Sequence, residues 1–92
     1  MIIRWESHHD YVLVHVHQDM FGDWIVSRSW GQIGTQFGGL KHDLAESYEQ
    51  AMTWVSDLAH IQASRGFTKV LEATADSPEA EDAMRQMSLL EG

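Results

Sequence analysis

Cysteine is absent from the 92 residues. That excludes a disulfide framework and any thiolate metal site, leaves packing alone to hold the chain together, and fits a reducing compartment. Long apolar runs are absent too. No stretch approaches the roughly eighteen apolar residues of a membrane helix, and the opening Met1-Ile2-Ile3-Arg4-Trp5-Glu6 lacks the apolar run of a secretory signal. The expectation is a soluble cytoplasmic protein with no membrane partner. Cations are scarce, six Lys and Arg against fourteen Asp and Glu, for a formal net charge of −8. Spread evenly, that charge would repel a phosphate backbone. Catalytic patterns are missing as well: no nucleophile stands beside a base, and there is no phosphate-cradling loop or recognisable carboxylate pair. Gly31-Gln32-Ile33-Gly34 does not open a helix, as a dinucleotide fingerprint must. The expected class is non-catalytic, with no cofactor.

What is present suits one folded domain. The chain is 43% hydrophobic and 22% charged, close to a globular average, and its length supports a single core. The acidity is uneven. Residues 1 to 71 hold five Lys/Arg against eight Asp/Glu, whereas residues 72 to 92 hold one against six. The chain therefore divides into a mildly acidic body, 1–71, and an acidic tail, 72–92.

Alternation marks the strands. From Tyr11 to His17, Val12, Val14 and Val16 fall on one face and Tyr11, Leu13, His15 and His17 on the other. Asp19-Met20-Phe21-Gly22-Asp23 is turn chemistry suited to a hairpin. A second strand, Trp24 to Trp30, places Trp24, Val26, Arg28 and Trp30 on one face and Ile25, Ser27 and Ser29 on the other. Gly31, Gly34, Gly38 and Gly39 predict a tight bend after Trp30, with a third strand near Gly39 to Leu44. Ser47-Tyr48-Glu49-Gln50 has the form of a capping box. The helix it opens carries Tyr48, Ala51, Met52, Val55, Leu58, Ala59 and Gln62 on one stripe and closes at Arg65-Gly66. Phe67 to Leu71 should then return to the sheet edge or pack under it. In the tail, Ser77-Pro78-Glu79 predicts a short helix whose stripe of Ala80, Ala83, Met84, Met87 and Leu90 packs on this domain or on a second copy.

Trp24-Ile25-Val26-Ser27-Arg28-Ser29-Trp30-Gly31-Gln32-Ile33-Gly34-Thr35, with Gly39, Lys41, Ala51 and Arg65-Gly66-Phe67 following, resembles a WGR domain over roughly residues 3 to 70. The resemblance implies an α+β fold: a small antiparallel sheet of three to five strands with one long helix packed across it, to which the sequence adds the short C-terminal helix. WGR domains occur in poly(ADP-ribose) polymerases and in short bacterial proteins. In the polymerases they bind near DNA breaks, with the motif Trp on the sugar of a terminal nucleotide and the Arg coupling the domain to its neighbours. By that likeness Trp30 is the stacking residue. Two positions depart from the pattern. Gln32 replaces the motif Arg and cannot neutralise charge, and Gln62 and Ala63 stand where the family often carries a Lys.

Each candidate residue has a functional and a structural reading. Trp30 is either a stacking platform or an aromatic that fixes the bend. Arg28 either stacks on Trp24 or Trp30 and faces a phosphate, or pairs with a carboxylate. Lys41, Arg65 and Lys69 either join Arg28 in a basic patch or are scattered solvated charges. Trp24 and Trp54 read as core residues, and Trp5 reads either way. His15 and His17 share one side of a strand and, with His8, His9 or His42, have the ligand chemistry for a metal. Nothing in the sequence fixes their geometry, so no metal is assigned; the plainer reading is a polar sheet face titrating near the free His pKa of about 6.5. The expected nucleic-acid-binding residues are Trp30, Arg28, Gln32, Lys41 and Arg65. The alternative is a protein-interaction module or homodimer using the same aromatic face or the Met-rich tail.

Overall fold

The computed structural model describes residues 1–73. Five strands and one helix follow in the order β1 (Ile2–Glu6), β2 (Asp10–Gln18), β3 (Trp24–Gln32), β4 (Gly38–Ala45), α1 (Tyr48–Ser64) and β5 (Thr68–Ala73). The strands form one antiparallel sheet in the order β4-β3-β2-β1-β5. The architecture is α+β, and the tail helix expected after Ser77 lies outside the described residues.

The β2–β3 hairpin turns where Asp19 and Gly22 allow it. Asp19 Oδ1 accepts the backbone N–H groups of Phe21 and Asp23, each at 2.9 Å, while Gly22 takes φ of 86°, a region open to glycine at little cost. The next bend sits later than expected. β3 continues two residues past Trp30 to Gln32, and the chain turns through Ile33-Gly34-Thr35-Gln36-Phe37 before β4. The reason is pairing: Gly31 and Gln32 still meet Tyr11 and Asp10 of β2, so the ladder has no cause to stop at the indole.

Helix α1 begins as its sequence specifies. Ser47 Oγ accepts the Gln50 N–H at 3.0 Å, and Gln50 Oε1 accepts an N–H at 2.7 Å, that of Glu46 and not of Ser47 itself. At the other end Gly66 adopts φ of 83°. Gly66 N–H donates to Ala63 O and Phe67 N–H to Gln62 O, the paired bonds of a Schellman close. That close aims Phe67 back at the sheet.

The helix covers one face. Its Ala51 and Val55 pack against Ile3, Trp5, Val12, Val14, Val16, Val26 and Ala45, with Trp24, Trp54, Leu58 and Phe67 at the margin. β1, which the sequence reading did not mark as a strand, supplies Ile3 and Trp5 to this core. Its five residues are too few for alternation to announce it. Trp5, 3% exposed, is a core residue.

The reverse face departs from expectation more sharply. The alternation that puts His15 and His17 there suggested a polar, solvated surface. Instead Ile2, Tyr11 and Leu13 are buried on it beside Leu40, Leu71 and Ala73, and His15 is buried as well. Burial, then the neighbouring His17, then the N-terminal ammonium lower its pKa to about 4, so it does not titrate near the free value. His15 and His17 stack with ring centroids 4.4 Å apart. Ser27 Oγ lies 3.1 Å from His17 Nε2 and 2.6 Å from His42 Nδ1.

Candidate functional site

Three glycines shape the neighbourhood of Trp30. Gly39 is its direct partner on β4, and the indole lies against it so closely that a Cβ there would come within 2.6 Å of Cε2. Gly31 and Gly38 face each other in the next pair, where a Cβ on either would strike backbone of the opposing strand. No larger residue fits this corner without displacing it. The ring that results is 45% exposed on the helix-bearing face, set between Val12 and Gly39.

Beside the indole lies a concavity of about 550 Å³, lined by Trp30 and Gln32 of β3, Phe37 of the following loop, and Arg65 and Phe67 beyond the end of α1. The Schellman close at the end of α1 places these last two residues. Arg65 sets its guanidinium 4.9 Å from the Phe67 ring centroid and sends Nη1 to Gln62 Oε1 at 3.3 Å. The concavity is therefore lined both by the Trp30 indole and by a cation carried on Phe67. Asp10 is the carboxylate in the lining.

Arg28 and Lys41 are arranged differently. They are cross-strand partners on the face that bears Trp30, but both turn to Asp43. Arg28 Nη2 lies 3.1 Å from Asp43 Oδ2, and Lys41 Nζ lies 3.7 Å from Asp43 Oδ1. The guanidinium does not stack on an indole; among the described residues the guanidinium–aromatic stacks are Arg4 over Tyr11 and Arg65 over Phe67. Arg28 instead lines a second cavity of about 340 Å³ between β3 and α1, with Trp54, Asp57, Leu58 and Ile61, and its Nε is buried without a partner. Lys69 is remote from both, on the opposite edge strand, paired with Glu72 at 2.8 Å.

Of the residues singled out from sequence, Trp30, Gln32 and Arg65 meet in one groove. Arg28 and Lys41 form a neighbouring pair held by a carboxylate, so no single basic patch forms. Phe37, 78% exposed, was missed; its position inside the glycine cluster is a signal that a large apolar residue sits on a loop. Asp43 was missed too, because nothing local in β4 shows that its side chain faces Arg28. Among the described residues no group of three or more His, Asp or Glu is placed to hold a metal, and no helix is long and apolar enough to cross a membrane.

The family model for the WGR domain matches residues 4–74. The chain belongs to the WGR domain family. No curated protein and no solved structure matches it. In this WGR domain the motif residues Trp30-Gly31-Gln32 close β3 and form the sheet side of the groove. Gln32 at the third position offers that groove an amide in place of a charge, which leaves Arg65 as its cation among the described residues.

Proposed function

We propose that this WGR domain is a non-catalytic nucleic-acid-binding module that takes a strand end or nick in the groove between Trp30 and Arg65. One observation carries the reading: a half-exposed indole seated against Gly39 and a guanidinium stacked on Phe67 line the same concavity of about 550 Å³. Stacking on an aromatic face is worth about 1–3 kcal/mol per base and tolerates any sequence, while the guanidinium supplies a phosphate contact that the acidic body otherwise lacks. Gln32 donates or accepts hydrogen bonds at the groove floor. Arg28 and Lys41 extend the cationic rim only in so far as Asp43 releases them.

Fluorescence anisotropy with a nicked or recessed duplex tests this. Binding should appear at low salt, weaken as salt rises, and vanish in Trp30→Ala. With one to three phosphates contacted, the slope of log K against log salt should fall between about −1 and −3. Absence of binding at low salt removes the proposal.

A second reading has its own support. Phe37 and Ile33, 78% and 39% exposed, adjoin Trp30 on the β3–β4 loop, and exposed aromatics of this kind favour protein interfaces. In that case the same face meets a protein partner or a second copy. Light scattering that shows a dimer broken by Phe37→Ser would select it.

A further inference from the structure

One residue lining the Trp30 groove does nothing for the fold through its side chain. Asp10 opens β2, where its backbone N–H donates to Ser7 Oγ at 3.2 Å and its carbonyl accepts the Ser7 N–H at 2.8 Å. Those bonds hold the main chain alone. Among the described residues the Asp10 carboxylate makes no hydrogen bond and no ion pair, and the residue is exposed.

Strand register sets where that carboxylate stands. On β2, Asp10 lies two residues before Val12, and on β3, Gln32 lies two residues after Trp30; Asp10 is directly opposite Gln32, and Val12 directly opposite Trp30. Side chains two apart on a strand share a face, and Val12 belongs to the core under α1. Asp10 is therefore on the same face as the indole, beside the Gln32 amide, and all three line the groove.

Charge and hydrogen bonding then discriminate between ligands. A strand end carries either a sugar hydroxyl or a phosphate monoester, the latter with a charge of about −1.5 to −2 at neutral pH. The groove lining holds one cation, Arg65, and one carboxylate, Asp10, so their formal charges cancel and a terminal phosphate gains no net attraction. A hydroxyl gains at the same place, since it donates to a carboxylate, which only accepts, and accepts from an amide. An Arg at position 32 would outweigh Asp10; the Gln does not.

We propose that the groove selects a strand end that terminates in a sugar hydroxyl, with Asp10 accepting the hydroxyl's hydrogen bond and repelling a terminal phosphate. This rests on the nucleic-acid reading above and adds the chemistry of the end that is taken. Arg65 is then left to a singly charged phosphodiester within the strand. At the dielectric of water, a dianion about 6 Å from one carboxylate is disfavoured about tenfold in affinity.

The test is anisotropy at low salt with a hairpin duplex that has one recessed end and a fluorophore in its loop. It is made in three forms: both termini hydroxyl, 5′-phosphorylated, and 3′-phosphorylated. The hydroxyl form should bind about tenfold tighter than at least one phosphorylated form, which identifies the terminus that enters the groove. Asp10→Asn, with Asp10→Ser as a second variant, should abolish the difference by strengthening the phosphorylated form. Asp23→Asn removes the same charge at the far end of the β2–β3 hairpin and should keep the discrimination. Three outcomes overturn the inference while the nucleic-acid reading stands: both phosphorylated forms binding as well as the hydroxyl form, discrimination that survives both Asp10 variants, or its equal loss in Asp23→Asn. If none of the three forms binds, the nucleic-acid reading itself fails and the inference falls with it.

Discussion

The indole of Trp30 rests on Gly39, its cross-strand partner, where no side chain would fit beneath it. The ring's pose is thus set by a missing methyl group on the neighbouring strand. Gly39→Ala should leave the sheet intact, since Gly39 does not hold a positive φ, but it should push the ring off its seat. A tenfold loss of nucleic-acid affinity is expected, about 1.4 kcal/mol, with little change in melting temperature. Anisotropy and thermal denaturation on the same sample separate the two effects.

Asp43 holds Arg28 and Lys41 together, and being partly exposed, these pairs add only about 0–1 kcal/mol to stability. Asp43→Asn should free two cations beside the Trp30 groove at little cost to the fold. The expected result is a severalfold rise in nucleic-acid affinity at low salt and a steeper salt dependence, by about 0.9 in log–log slope for each phosphate newly contacted on duplex DNA. Unchanged affinity would show that neither cation reaches the ligand.

The core makes a contrasting prediction. Trp5 is 3% exposed and packs with Val12 and Val14, so Trp5→Ala should cost about 3–5 kcal/mol through lost burial and the cavity left behind. Phe37→Ser, on an exposed loop, should change stability by about 0.5 kcal/mol or less. Chemical denaturation of both variants checks the pair.

His15 predicts the pH profile. Burial first, then His17 and the N-terminal ammonium, lower its pKa from 6.5 to about 4, so between those values the unfolded chain binds a proton that the folded chain refuses. Stability should therefore fall as pH drops through that window, by a few kcal/mol at most. His15→Gln should flatten that part of the curve. Calorimetric scans between pH 7 and 4 on both proteins measure the difference.

The sequence revealed different parts of this molecule to different degrees, for physical reasons. β2, β3 and α1 were legible because each is long enough for its period to show, and because Ser47 and Gly66 mark the helix ends with specific hydrogen-bonding chemistry. β1 was not, since five residues with apolar Ile2 and Ile3 side by side give no alternation and acquire their strand identity only by pairing with β2 and β5. The reverse face was misread because His15 and His17 are polar by type, while the face is buried by tertiary packing that residue type does not encode. Trp30, Gln32 and Arg65 were singled out from the motif and the helix close, and the fold brings them to one concavity. Arg28 was placed on the right face with two readings open, and the carboxylate pairing is the one observed; which carboxylate was not legible, because Asp43 arrives from another strand.

The most direct test of the Trp30 groove is a titration followed by the indole N–H signals of the chain's four tryptophans. On addition of a recessed DNA duplex at low salt, the Trp30 signal should shift together with the Gln32 and Phe67 amides, while that of buried Trp5 stays in place. Shifts confined to Trp54 and the cavity beside Arg28, or no shift at Trp30 as the duplex saturates, would contradict the account.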